Sequence, residues 1–474
     1  MLTDPEQIAS LGHADRLAIL GELVDEARTG SQVAERLGLP VQRTHYHLGR
    51  LVKDGLVVEV GLADKRFKQE RFYRAAARHH LVYPAHGATD EATSRAVLEA
   101  FERVFDVWRR RELLDIDLAA VARRVVDDVL RVRPGDRVLV MGPPQVREIQ
   151  DAIFLAVEMR GGRPSLRTWS REYIYSRLDL MKDEATRSLP FVSDADTDDL
   201  AGFVFVTSTQ PAGPEPNERQ RDNLPRLLEA LTTWQRRLRT LGVRQVELSV
   251  PVRGDVEDGE LSVEEALATF WRALSTDSDV LSARVDALLA RIDGREDLAL
   301  IDDVGGRLDL RVDAARPHLN IGRLSDADLA KGHAFEEFPP GSLTLLAVPG
   351  KASGELTFPY VSVGGRRVRD VTVRVHEGRI ANIEAPEHAE FLRERIARAV
   401  GDADSVAEVR LGVNPAGDAL TGKASLDAVL DGTVTLAFGS NETLGGSQSA
   451  TLDLRLPSRS LEVRAGDDVV AARP

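Results

Sequence analysis

The sequence predicts a multidomain α+β protein, and three observations carry that reading. The chain has 474 residues, more than one core ordinarily serves, so two or three domains are expected. Its first 80 or so residues show helix signals followed by a pair of alternating stretches. From about residue 113 helical and strand segments alternate, then give way to short strands and turns. The expected divisions are a small helical domain closed by a hairpin (1–82), a linker and helix (83–114), an α/β domain (115–295) and a β-rich α+β domain (296–474). Hydrophobic content of 43% and charged content of 29% are those of a soluble globular protein.

In the first domain, Pro5 to Leu11 opens a short helix. Asp15 is placed to cap a second, with Leu17, Ile19, Leu20 and Leu23 as its core face. Ser31 starts a further short helix that Gly38 stops, and Leu39-Pro40 makes a turn. From Val41 the next helix puts Thr44, Leu48, Leu51 and Val52 on one face and Gln42, Arg43, His45, Tyr46 and Arg50 elsewhere. Gly55 ends it as a left-handed cap does. Two alternating stretches, 56–62 and 66–73, flank a polar turn at Ala63-Asp64-Lys65.

Helix, short helix, turn, helix and hairpin is the winged helix-turn-helix layout. The phrases "GSQVAERLGLP", "HYHLGRLVKDGLVVE" and "KQERFYRAA" resemble the ArsR-type regulators over about 75 residues. The resemblance implies that the helix from Val41 enters the major groove and that the hairpin reaches phosphate or minor groove. Gln42 and Arg43 then present amide and guanidinium forks to base edges, with His45, Tyr46 and Arg50 on the same helix. Lys65, Arg66 and Lys68 hold backbone phosphates. His47 matches a position that is usually structural and is not counted as a reader.

Charge bears on this. The chain is acidic overall, 62 basic against 76 acidic side chains and a net charge of −14. Residues 1–39 hold three basic and seven acidic side chains, and residues 40–80 nine and four, a local +5. Phosphate attraction acts over a Debye length of roughly 8–10 Å, so the patch matters more than the total. There are no cysteines, which removes disulfides, thiolate sites and the thiol-based metal sensing of many ArsR relatives. His13, His45, His47, His79, His80 and His86 are what remains to build a zinc site there; His79-His80 reads as a solvated polar stretch. No apolar run reaches the ~18 residues of a membrane span, and no leader pattern opens the chain. The expectation is a cytoplasmic protein without a membrane partner.

Residues 83–90 read as a linker. A helix follows with Val97, Leu98, Phe101, Val104, Phe105 and Trp108 along one stripe, suited to dimerisation or to packing on the next domain. Ala119–Val132 is helical, Arg137–Met141 a strand and Gln145–Met159 a helix, a β-α unit opening an α/β domain. Gly142-Pro143-Pro144 is not a phosphate loop, because no G-x-G-x-x-G or Walker pattern is present. Phe203–Thr207 and Val246–Val252 are strands around a helix at 223–241. The stretches 298–311 and 341–348 are strand-rich, and one helix interrupts the remainder near 387–400.

"VARRVVDDVLRVRPGDRVLVMG", then "GGRLDLRV", "EFPPGSLTLLAVPG", "VAEVRLGVNP", "DGTVTLAFGS" and "SQSATLDLRL" resemble, in order, the aminopeptidase T and aminopeptidase S family of metallopeptidases. The resemblance spans roughly 115–460 and implies an α/β domain plus a β-rich domain. It also implies two divalent metals held by carboxylates and histidines. Carried over residue by residue, the family's two Glu ligands fall on Ser342 and Glu408. Its first His falls on Thr435, a nearby Tyr on Glu442, and the closing His-x-Asp pair on Thr451 and Asp453. Glu408 and Asp453 are thus the residual metal ligands. They suffice for one weakly bound divalent cation but not for two metals ~3.5–4 Å apart. Ser342, Glu408, Thr435, Glu442, Thr451 and Asp453 are the expected ligand pocket. His318, His333, His376 and His388 sit in no matching motif and read as surface or satisfied polar residues. There is no Gly-x-Ser-x-Gly elbow and no His-Glu-x-x-His helix, so no catalytic residue is assigned.

The reading is a transcriptional regulator that binds double-stranded operator DNA as a homodimer. Its catalytically degenerate aminopeptidase-like part serves dimerisation and the sensing of a small molecule or peptide. Two alternatives stand beside it. One is a metal-dependent aminopeptidase-like hydrolase carrying an accessory winged helix; the other is a scaffold without DNA binding or catalysis.

Overall fold

The computed structural model describes residues 13–24, 26–65, 68–77, 117–180, 197–208, 217–256, 259–363 and 366–471. The chain forms two compact units, Met1–Ala100 and Phe101–Pro474. The helix expected at Pro5–Leu11, the linker, the apolar stripe 97–108, Arg66, His79, His80 and His86 lie outside the described residues.

The first unit runs α1 (Ala14–Val24), β1 (Arg28–Thr29), α2 (Gly30–Leu37), α3 (Val41–Lys53), β2 (Val57–Lys65) and β3 (Lys68–Ala75). Its small core joins Ile19, Leu20 and Leu23 of α1 to Val33, Leu48, Leu51, Leu56 and Val57. Leu17, expected in that face, is exposed. Asp15 lies inside the first turn of α1 and does not cap it. Instead the Asp15 backbone N–H donates to His13 Nδ1 at 3.2 Å. Helix α2 begins one residue before Ser31, because Thr29 and Gln32 form a reciprocal capping box: Gln32 N donates to Thr29 Oγ1 at 3.3 Å, and Thr29 N to Gln32 Oε1 at 2.8 Å. Gly38 closes it in the left-handed region at φ 63°. The expected turn at Ala63-Asp64-Lys65 belongs to β2, and Lys65 pairs with Lys68 of β3. Strand β1 completes a three-stranded sheet in the order β1-β3-β2.

In the second unit, α4 (Leu118–Arg124) continues as a π-helical turn over Val125–Leu130. Then follow β4 (Arg137–Gly142), α5 (Arg147–Met159), β5 (Arg163–Thr168), α6 (Arg171–Leu180), β6 (Leu200–Ser208), α7 (Glu218–Thr240) and β7 (Arg244–Val250). Strands 4–7 run parallel, and β6 is buried through most of its length, as strands covered by helices on both faces are. Gly142 sits where a Cβ would come within 2.1 Å of the Val206 carbonyl oxygen. Close strand approach, not phosphate binding, is what its place requires.

Helices α8 (Val263–Ser275) and α9 (Ser278–Ile292) lead into β8 (Asp297–Ile301), β9 (Arg307–Val312), β10 (His318–Asn320) and β11 (Phe335–Phe338). Strand β11 adds in parallel to β7 and gives the five-stranded order β11-β7-β6-β4-β5. The chain thus crosses the expected division at 295/296 to finish the parallel sheet. The rest is antiparallel: β12 (Ser342–Val363), β13 (Arg366–His376), β14 (Arg379–Glu384), α10 (Ala389–Arg398), β15 (Val406–Gly412), β16 (Val434–Phe438), β17 (Leu454–Ser458), β18 (Glu462–Ala465) and β19 (Asp468–Ala471). With β8, β9 and β10 these strands form an 11-stranded sheet organised on the long β12. A core of Leu, Val, Ile, Ala and Phe from its strands, α9 and α10 packs there. Among the described residues no helix is long and apolar enough to cross a membrane.

Candidate functional site

Helix α3 buries Thr44, His47, Leu48 and Leu51 at helical spacing against α1 and α2, which fixes what its other face presents. Gln42, Arg43, His45 and Tyr46 are exposed, and Arg50 is half-buried. Tyr46 is 72% exposed and meets the His47 ring edge-on at 5.2 Å. The face is partly engaged already. Arg43 Nη2 lies 2.5 Å from Asp15 Oδ2, which also faces His47 Nε2 at 3.3 Å. Arg50 pairs one turn on with Asp54 at 3.5 Å. The His45 ring covers Gly30, where a Cβ would come within 2.5 Å of it. Lys65 and Lys68 stand opposite one another at the end of the hairpin.

A cavity of about 140 Å³ opens in the second unit among α7, β7, β11 and strands β15–β17. Its walls carry five carboxylates, Glu247, Glu337, Glu408, Glu442 and Asp453, and four guanidiniums, Arg236, Arg239, Arg410 and Arg455. At the centre Glu337 accepts from Arg410 and, at 2.6 Å, from Arg455. Arg410 also donates to Glu408 at 2.9 Å. Burial alone would push the Glu337 carboxyl up, but the two guanidiniums hold it far below the usual carboxylate range. Arg236 holds Glu442 through two bonds of 2.9 and 2.8 Å. Asp453 Oδ1 accepts from Ser440 N at 2.7 Å, and burial pushes its carboxyl up to about 6. Glu247, beside Glu337 in register, is pushed up to about 7 by burial and by the Glu337 charge.

Three of the six expected pocket residues line this cavity: Glu408, Glu442 and Asp453. The other three are placed elsewhere. Ser342 pairs with Gly412, four positions along β15 from Glu408. Thr435 is buried opposite Arg410 on β16, and Thr451 Oγ1 accepts from Val400 N at 3.0 Å. Six charged contributors lie outside the motif carry-over: Glu247, Glu337, Arg236, Arg239, Arg410 and Arg455. For the last two the signal was present in "VAEVRLG" and "LDLRL". An arginine two residues beyond each retained acid shares its side of an extended strand.

The residues do not fit a two-metal centre. No histidine lines the cavity, and Glu408 and Glu337 already answer guanidiniums. Arg410 and Arg455 place positive charge where dications would need to sit.

Residues 11–60 match the family described as a helix-turn-helix domain. No curated protein matches the chain. Among solved structures, wild-type AmpT from Thermus thermophilus is similar at 16% identity and a TM-score of 0.52, over 73% of this chain and 94% of that one. The 2,5-dihydroxypyridine dioxygenase from Pseudomonas putida KT2440 matches at 14% identity and a TM-score of 0.46, over 75% and 95%. The AmpT likeness concerns the fold.

Proposed function

We propose that this protein is a DNA-binding transcriptional regulator whose larger unit is a catalytically degenerate, aminopeptidase-like sensor of a small molecule or peptide, acting as a homodimer. The observation that carries the reading is a pairing of two facts. A helix-turn-helix domain at the N-terminus accompanies a pocket in which arginines, not metals, balance the carboxylates. Arg239 and Glu247 line that pocket without a hydrogen bond among the described residues, although each has a charged neighbour, Glu442 and Arg455 respectively. A guanidinium on α7 and a carboxyl on β7 that make no hydrogen bond in the same cavity support a ligand that carries charge of both signs. Such a ligand changes DNA affinity only if it binds two arrangements of the protein unequally. A difference of ~1–3 kcal/mol is sufficient.

The test is binding of the full chain to DNA from its own promoter across a salt series, beside Arg43→Ala. Specific binding weakened by salt and by the substitution supports the regulator. Binding no better than to unrelated DNA removes it. The AmpT-like fold favours a hydrolase as the second reading. Peptidase turnover with two metals bound per chain would establish that reading instead.

A further inference from the structure

Apart from the pocket, one group of side chains in the first unit has the composition of a metal centre. His13, Asp15 and His47 each offer one donor atom, and these atoms lie within 4.8 Å of one another. His13 precedes α1, Asp15 sits in its first turn, and His47 comes from the buried face of α3. Of the six histidines that the sequence offered for zinc in this region, two are therefore brought together around a carboxylate. One ring nitrogen of the group is left without a partner. His47 is 5% exposed and its Nδ1 is buried without a hydrogen bond, while Asp15 Oδ2 already lies against two cationic or imidazole nitrogens, Arg43 Nη2 and His47 Nε2. The two imidazole rings are 4.5 Å apart, tilted by 47°.

We propose that His13, Asp15 and His47 bind one divalent transition-metal ion of the zinc, cobalt and nickel class. Two imidazoles and one carboxylate suit that class; a carboxylate-only set would favour magnesium or calcium. Three protein donors leave a fourth position for water. His13 and Asp15 are only half-buried, so side-chain rotation can bring the donors to the ~2.0–2.2 Å that such ions require. His13 gives up its long 3.2 Å bond from the Asp15 backbone in doing so.

The site has a consequence for α3. Asp15 is also the carboxylate that holds Arg43. A dication on Asp15 neutralises that carboxylate and repels the guanidinium beside it, and the Arg43 side chain, 54% exposed, swings free to meet a ligand phosphate or base. This second step rests on the DNA-binding reading; the metal site itself does not.

The experiment is titration of metal-free, full-length protein with Co²⁺, read by its visible ligand-field bands without DNA, followed by displacement with Zn²⁺. Wild type gives a one-to-one band, and Asp15→Asn and His13→Gln weaken it at least tenfold. Both residues are partly exposed, and circular dichroism checks the fold of each variant. His45→Gln, on α3 but outside the group, leaves the band unchanged. A band that survives both substitutions, or none below about 100 µM metal, overturns the site. With promoter DNA added, Zn²⁺ tightens wild-type binding, whereas Asp15→Asn is already tight and indifferent to Zn²⁺. Metal binding without that response removes the coupling and keeps the site. Absence of specific DNA binding strikes the regulator reading alone.

Discussion

Arg410 and Arg455, reaching from the strands that flank β16, converge on one carboxylate, Glu337. Arg410 spans on to Glu408, so the carboxylates face guanidiniums on the cavity wall. A buried circuit of this kind adds little net stability while intact, but the loss of one member strands the rest without counter-charge.

Glu337→Gln therefore lowers the stability of the second unit by about 3–5 kcal/mol, measured by denaturant unfolding. Arg455→Gln costs less, because its side chain is 28% exposed against 15% for Glu337. Equal and small effects would show that water already screens the circuit.

The capping box at Thr29 is testable alone. Thr29→Ala removes the acceptor for Gln32 N and destabilises the first unit by about 1 kcal/mol, whereas Thr29→Ser keeps it. Hydrogen exchange at the amides of α2 reads the difference.

His318 ties stability to pH. It is buried, its Nε2 lies 3.1 Å from the Phe335 carbonyl oxygen, and the His333 ring meets it edge-on at 5.3 Å. Burial and the neighbouring imidazole lower its pKa from 6.5 to about 4. The folded state thus resists the proton that the unfolded chain accepts. Its contribution is complete above pH 6.5 and is lost as pH falls toward 4, on the order of 3 kcal/mol. His318→Gln flattens that acid limb in unfolding curves at pH 7 and pH 4.5; an unchanged slope would count against the argument.

Lys65 and Lys68 face one another at the hairpin end, which is where phosphate contact is proposed. Lys68→Ala weakens binding to all DNA sequences alike and lowers the salt slope by about one. Arg43→Ala instead removes discrimination worth roughly 1–3 kcal/mol at one base position. Titrations on promoter and scrambled DNA at two salt concentrations separate the two effects.

The first unit was legible because its signals are local. Period, glycine stops and the face of α3 are written within about 60 residues, and the capping errors are of two residues: Asp15 for His13, Ser31 for Thr29. In the pocket, motifs placed only acids: Glu408, Glu442 and Asp453 line the cavity as the sequence suggested, while Glu247 and Glu337 were not assigned to it. These two come together through parallel pairing of β7 with β11, a long-range event that no local period announces. Ser342, Thr435 and Thr451 do not line the cavity, and Ser342 and Thr435 are buried in the sheet.

Strand β11 also sets when the parallel sheet can close as the chain is made, because it is the last of its strands in sequence. Until Phe335–Phe338 has emerged and paired, β7 presents a bare edge of backbone donors and acceptors. The preceding parallel strands wait through four described helices and three strands of another sheet for their outermost member. Nascent chains stalled before residue 335 are the species that a chaperone must shield, and expression of a fragment ending at Ile292 yields aggregate, not a soluble domain.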